Sequence, residues 1–268
     1  MNKTIGIIGG GNMSQAIVSG LVKSEIIKGR NIIVSDRDEE KLNHMKENYG
    51  INITNNNEDV SKGSDIIILA VKPNIYGVVI EEIRNKVKED VVIVSIAAGI
   101  TMEFIQNKFE KNIKIVRTMP NTPALVGEGM TALCYNDFSS EEDVENVMNI
   151  FKSFGKVETI SEKLMDVVPG ISGSSPAYVY MFIEALADGG VLGGLPRDKA
   201  YKMAAQAVLG AAKMVLETGE HPGVLKDKVC SPGGTTIEAV YSLEESNFRG
   251  AVIKAMEKCR EKTIKMSK

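Results

Sequence analysis

The sequence predicts an α/β chain in two parts: a doubly wound parallel sheet at residues 1–161 and an all-helical domain at 162–268. Three observations carry that reading. Short apolar runs alternate with helical periods through the first part, the pattern of parallel strands joined by crossover helices. Runs such as Ile66-Ile67-Ile68-Leu69-Ala70-Val71 are apolar without interruption, as strands buried on both faces are. Beyond Glu162 the strand-like pattern stops and long helical windows take over.

Along the chain, strands are expected over residues 4–8, 31–36, 51–53, 65–71, 91–96, 113–118, 130–134 and 156–160. Most are β-branched or large apolar runs that end near Gly, Pro, Asn, Asp or Ser. Helical periods fill 14–24, 39–48, 75–87, 102–109 and 141–154, then 176–192, 197–218, 235–246 and 248–265. Pro73 stops the fourth strand and biases Lys72 towards extended geometry. Ser161 is placed to cap the connecting helix, and Asp198 lies early in a long one, where a carboxylate suits the helix dipole. His221-Pro222 reads as a turn. Gly189-Gly190 and Gly193-Gly194 mark a close helix crossing or a helix end. The window holding Val179, Tyr180, Met181, Phe182, Ile183, Ala185 and Leu186 is apolar all round and calls for burial. A partner subunit or a compact monomeric bundle would each supply it.

At 268 residues, with 43% hydrophobic and 25% charged residues and a formal net charge of −3, there is room for one or two domains with substantial cores. A slightly acidic balance with no basic block argues against nucleic acid as the main partner. Lys258, Arg260, Lys262, Lys265 and Lys268 are interrupted by Glu257 and Glu261, as on the solvated face of a helix. No membrane segment is expected, because the longest apolar stretch, residues 91–100, is broken by Ser95 and Gly99 and too short for a bilayer. Lys3 leads into a strand and glycine turn rather than an apolar signal region. Three scattered cysteines (Cys134, Cys230, Cys259) and two isolated histidines (His44, His221) point to a reducing cytoplasm and no metal site.

The sharpest motif opens the chain. Thr4-Ile5-Gly6-Ile7-Ile8 runs into Gly9-Gly10-Gly11-Asn12-Met13, and Ser14 starts a helical pattern carried by Ala16, Ile17, Gly20 and Leu21. Gly9, Gly11 and Ser14 fall on the small positions of the dinucleotide fingerprint G-x-G-x-x-G/A. These allow a tight turn, close backbone approach to a pyrophosphate and tight helix–strand packing. The helix N-terminus would offer the phosphates its unpaired N–H groups. A plain strand-to-helix turn also uses glycines, but the N-terminal position and a second strand ending at Asp36 favour a nicotinamide dinucleotide on a Rossmann-type sheet. Asp36 would accept from a 2′-hydroxyl, as NAD needs, whereas Arg37 and Ser35 suit a 2′-phosphate; the balance leans to NADP. Ligands of such sheets gather at the carboxyl ends of the strands. Three further segments close there: Ala70-Val71-Lys72-Pro73, Ser95-Ile96-Ala97-Ala98-Gly99 and Arg117-Thr118-Met119-Pro120-Asn121-Thr122-Pro123.

A second motif, Cys230-Ser231-Pro232-Gly233-Gly234-Thr235-Thr236, precedes a helical run through Ile237, Ala239, Val240 and Leu243. Backbone N–H groups and hydroxyls gathered at a helix start make a pocket for a small carboxylate. A simple capped turn would look similar in isolation.

With these motifs in order, the chain resembles the pyrroline-5-carboxylate reductases over nearly its whole length. The resemblance adds Ser172-Gly173-Ser174-Ser175-Pro176-Ala177-Tyr178, Glu184-Ala185-Leu186-Ala187-Asp188-Gly189-Gly190, Gly194-Leu195-Pro196-Arg197, residues 209–214, Leu225-Lys226-Asp227 and Phe248-Arg249. Ser175 departs from the usual glycine. The resemblance implies reduction of 1-pyrroline-5-carboxylate to proline with NADPH, or with NADH. It implies a homodimer built on the helical domain, often within a ring of dimers. It also implies that Ser231, Gly233, Gly234 and Thr235 bind the substrate carboxylate, and that Thr236 bonds the ring nitrogen as the catalytic group. Ile8, Gly9, Gly10, Gly11, Asn12, Met13, Ser35, Arg37, Asn57, Ala70, Val71, Lys72, Pro73, Ala97 and Ala98 would hold the cofactor.

Direct hydride transfer to a protonated imine needs positioning more than a strong acid, consistent with the lack of a conspicuous histidine or carboxylate pair. A β-hydroxyacid dehydrogenase would also join a dinucleotide domain to a helical one, but it uses a lysine where residues 174–183 hold none. A cofactor-sensing regulator would not need the carboxylate pocket, and a pure scaffold would need neither motif.

Overall fold

The computed structural model describes residues 1 and 3–266. Its strands are β1 (Ile5–Ile8), β2 (Ile32–Ser35), β3 (Asn52–Thr54), β4 (Ile66–Leu69), β5 (Val92–Ser95), β6 (Lys114–Met119), β7 (Gly129–Tyr135) and β8 (Gly155–Thr159). They form one sheet in the order β3-β2-β1-β4-β5-β6-β7-β8. The chain reverses its winding between β1 and β4, so the ligand crevice of such sheets opens there.

Alternation explains the two-faced burial. Ile66 and Ile68 of β4 enter one apolar cluster while Ile67 and Leu69 enter the other. The first face is covered by α1 (Asn12–Lys23) and α2 (Glu39–Tyr49), through Ile17, Leu21, Leu42 and Met45. The opposite face is covered by α3 (Asn57–Gly63), α4 (Tyr76–Ile83) and α5 (Met102–Phe109), through Val60, Tyr76, Ile80, Ile105 and Phe109. A further helix, α6 (Glu141–Lys152), returns to the first face with Val147, Ile150 and Phe151. Ser140 opens it with a reciprocal capping box to Asp143.

Several expectations need correction. The sheet is not wholly parallel: β7 runs antiparallel to β6. The link between them holds a 3₁₀ turn, Thr122–Val126, and is too short for a crossover helix. The short polar helix α3 was not anticipated. The helix expected to reach residue 87 ends at Ile83, and Ser161 makes no capping bond with its side chain. The chain there forms a 3₁₀ turn, Glu162–Leu164, too short to need a cap.

The contacts divide the chain into two compact units, the first reaching Ser174 and including the chain from Cys259, the second spanning Ser175–Lys258. Five helices belong wholly or mainly to the second: α7 (Ser175–Leu192), α8 (Arg197–Thr218), α9 (Pro222–Val229), α10 (Thr235–Glu245) and α11 (Phe248–Met266). A Cβ at Gly190 would sit 3.4 Å from that of Ala200, which is the close crossing the glycines foretold. The His221-Pro222 turn is in fact a helix start: the His221 ring Nδ1 accepts from Gly223 N at 3.0 Å, and Pro222 begins α9. Ala187 is the one buried residue of α7, whereas Tyr180 and Met181 are 59% and 68% exposed. No helix among the described residues is long and apolar enough to cross a membrane.

Candidate functional site

The N-terminal turn is held from three sides. At Gly9 the backbone takes φ +106°, and a Cβ there would lie 2.6 Å from the Ala70 carbonyl oxygen, so no other residue fits. Gly9 N donates to Ser35 O at 2.7 Å, and Ala70 N donates to Ile8 O at 2.8 Å. The buried Ser14 hydroxyl donates to the Gly9 carbonyl, replacing the close packing a glycine would give. Gly11 is the N-cap of α1, yet no side chain caps that end and no acid lies in its first turn. A Cβ on Gly11 would meet nothing within 4 Å. Open space in front of uncapped amides, with no acid in the first turn of α1, fits a pyrophosphate.

Beside the turn lies a cleft of about 280 Å³ that takes in Gly9, Ser35, Asp36, Arg37, Asn57 and Glu82. Asp36 is committed to the backbone: its carboxylate accepts from Gly10 N at 2.6 Å and Asp38 N at 2.9 Å. Arg37 is exposed. The buried Ser35 hydroxyl donates to Asn57 Oδ1 at 2.7 Å, and Asn57 Nδ2 donates to Glu82 Oε2 at 2.9 Å. Asn57 opens α3, the helix the sequence reading missed, which explains how it reaches a residue of β2.

The ends of β4 and β5 are braced from beneath. Tyr76 is fully buried and donates to the Leu69 carbonyl, and Ser95 Oγ donates to the Tyr76 oxygen at 3.3 Å. Burial pushes the Tyr76 hydroxyl up to about 12, so it stays protonated and serves as a strut. Above it, Val71, Lys72 and Pro73 follow β4, and Ala97 and Ala98 follow β5, along one edge of the sheet.

In the third expected edge segment, two polar side chains, Arg117 and Asn121, are tied to the protein. Arg117 is 3% exposed and bonds Glu162 and Asp166, each at 3.1 Å, leaving its Nε unpartnered. Glu162 also accepts from Met102 N at 2.8 Å, which ties the start of α5 to the same cluster. Asn121 Nδ2 donates to Ser172 O at 3.0 Å while its oxygen accepts from Met130 N at 2.8 Å.

In the second unit, the Ser231–Thr236 segment forms one tight turn. Gly233 takes φ +66°, and Gly234 N donates to Ser231 O at 3.0 Å. A Cβ on Gly234 would strike the Ser231 hydroxyl. Gly234 is the N-cap of α10 and supplies no side chain to it. Thr235 and the half-buried Thr236 begin the first turn, so three hydroxyls, those of Ser231, Thr235 and Thr236, lie in the segment that opens an uncapped helix start.

The structure thus gathers the expected cofactor residues along one sheet edge and the expected substrate residues in one turn. Glu82 and Tyr76 were not anticipated. Neither carries a motif; each reaches the edge through the packing of α4.

Residues 162–266 match the family model for pyrroline-5-carboxylate reductase dimerisation, and residues 4–99 match that for NADP oxidoreductase, coenzyme F420-dependent. The pyrroline-5-carboxylate reductase of Escherichia coli (strain K12) is 53% identical over 268 residues, all of both chains. The Plasmodium falciparum pyrroline carboxylate reductase, solved with NADP bound, superposes with TM-score 0.90 at 36% identity and covers 100% of this chain and 99% of that one. A Coxiella burnetii pyrroline-5-carboxylate reductase superposes with TM-score 0.93 at 35% identity, covering 100% of both. Likeness of this extent makes the chain an oxidoreductase that belongs to the pyrroline-5-carboxylate reductase family.

Proposed function

We propose that this chain reduces 1-pyrroline-5-carboxylate to L-proline, the closing step of proline formation, with NADPH as the main reductant and NADH accepted. One observation carries the reading: two helix starts, those of α1 and α10, are opened by glycine turns and left without a side-chain cap. One suits a pyrophosphate and the other a small carboxylate. The division of labour would follow residues 1–161 for cofactor and 162–268 for substrate and assembly.

Gly9, Gly10, Gly11, Asn12 and Met13 would hold the pyrophosphate, with Ser35, Arg37 and Asn57 at the adenosine ribose and Ile8 beneath. Ala70, Val71, Lys72, Pro73, Ala97 and Ala98 would border the nicotinamide end. When bound, the reduced nicotinamide supplies a hydride to the imine carbon. Ser231 and the amides of Gly233, Gly234 and Thr235 anchor the substrate carboxylate and so orient the ring. Thr236 bonds the ring nitrogen, which takes the C=N electron pair as the carbon is reduced. No residue has to deliver a strong acid, since the imine arrives protonated.

The exposed apolar face of α7 supports a homodimer, and the family's ring of dimers is its larger form. Three free cysteines support work in a reducing cytoplasm.

Replacing Thr236 by alanine tests the assignment. Loss of one oriented hydrogen bond should lower kcat/KM by roughly 10–1000-fold and leave the dinucleotide Kd unchanged. An unaltered kcat/KM would remove Thr236 from the mechanism.

A further inference from the structure

The cleft beside the glycine turn contains a carboxylate that its expected ligand does not call for. Glu82, on α4, approaches across the sheet edge and accepts from Asn57 Nδ2 at 2.9 Å. Asn57 Oδ1 in turn accepts from the Ser35 hydroxyl at 2.7 Å. The hydrogen bonds therefore run in one direction, from Ser35 through Asn57 to Glu82. Both neutral donors that could serve a 2′-phosphate already point at protein acceptors. Among the described residues no ion pair involves Glu82: Lys62 and Lys86 pair with Glu58, and Lys108 pairs with Glu81. The near charges of the cleft are Asp36 and Glu82 against Arg37 alone. Asp36 is tied to Gly10 N and Asp38 N, which leaves Glu82 as the carboxylate free to act on a ligand.

We infer that Glu82 is a specificity-determining residue: it competes with a 2′-phosphate for the Asn57 amide and so narrows the preference for NADPH over NADH. The inference rests on the nicotinamide-cofactor reading above. A 2′-phosphate must displace Glu82 from Asn57 and bear its like charge. A 2′-hydroxyl is a donor and finds acceptors in place, the Glu82 carboxylate and the Ser35 oxygen. Arg37 draws the phosphate in the opposite sense, so the cleft is balanced between the two forms rather than closed to either.

The fragments 2′,5′-ADP and 5′-AMP isolate the effect, because they differ by the one phosphate and need no turnover. Their Kd values are measured by calorimetry at low salt on wild type, Glu82→Gln and Glu81→Gln. The amide of Glu82→Gln keeps a hydrogen bond to Asn57 and removes the charge. It should tighten 2′,5′-ADP by about tenfold, an effect that shrinks as salt rises, and shift 5′-AMP by less than about twofold. The neighbour Glu81 pairs with Lys108 instead, so Glu81→Gln should leave both fragments as in wild type and exclude a general change in net charge. Unchanged or weaker 2′,5′-ADP binding to Glu82→Gln would overturn the inference while the cofactor reading stands. Wild-type protein that binds neither fragment would overturn both.

Discussion

The glycine turn after β1 and the glycine turn before α10, both proposed as anion cradles, stand in opposite settings. The first is clamped by β2 and β4, with Ser14 and the β1 residues fully buried around it. The second stands on a unit whose helices bury almost nothing within one chain: Ala187 in α7, Ala200 and Ala204 in α8, and no residue of α9 or α10. An anion cradle needs rigid amides. The first draws its rigidity from its own core; the second would gain it from apolar surface that a single chain leaves exposed, once the proposed partner covers it. Cofactor binding should therefore survive insults that abolish turnover, and the reverse should not occur.

The sharpest way to break that contrast is to disturb the exposed face of α7. A charge at its centre, Met181→Glu, should convert the proposed homodimer to monomer and reduce turnover by more than about 100-fold, since an apolar interface tolerates no unpaired charge. Dinucleotide affinity should hold. Light scattering, steady-state rates and a binding titration decide it together, and a dimeric, active variant would refute the dependence.

The converse change strikes the first turn. Gly9→Ala forces a side chain into a left-handed backbone against the Ala70 carbonyl and should weaken dinucleotide binding by about 100-fold, with the dimer intact. Fluorescence titration and sedimentation measure the two properties separately.

A smaller effect is expected at the buried guanidinium. Arg117→Met should cost about 2 kcal/mol in urea unfolding, less than a fully enclosed pair, because Glu162 and Asp166 stay 31% and 33% exposed and can rehydrate. A fall in stability without the first unit's binding being lost would mark Arg117 as scaffold.

The smallest effect concerns acid. Burial alone would raise the Asp143 carboxyl, but hydrogen bonds from Ser140 and the nearby Lys114 ammonium outweigh it and hold it below its ordinary value. A group lowered on folding adds stability above its unfolded value, near pH 4, and loses it as pH falls through the folded value. Asp143→Asn should therefore lower stability by about 1 kcal/mol at neutral pH and flatten the decline below pH 4. Unfolding curves across pH 2–7 provide the check.

How far the sequence could be read followed the physics of each segment. The central strands declared themselves, because burial on both faces demands uninterrupted apolar runs such as Ile66 to Leu69. Both glycine turns were equally plain, as few other residues permit them. Strand direction was not: the apolar run of β7 reads the same either way, and the short link from β6 decided it. Two short helices escaped notice, α3 because it buries only Val60 and Ser61, and α9 because Pro222-Gly223 resembles a turn until His221 caps it. Arg117 stood at a ligand edge by its strand position, yet its partners, Glu162 and Asp166, lie far along the chain and turn it inward. Glu82 was invisible for the same reason, since its meeting with Asn57 depends on how α3 and α4 pack.

The most direct test of the proposed joint action of the two turns is an isotope label. Reduced cofactor carrying deuterium at the transferable nicotinamide C4 position is incubated with 1-pyrroline-5-carboxylate and the purified protein, and the product is read by NMR. Direct transfer places one deuterium on the ring carbon that becomes Cδ of proline. Proline without deuterium at that carbon, or cofactor oxidation with no proline formed, would contradict it.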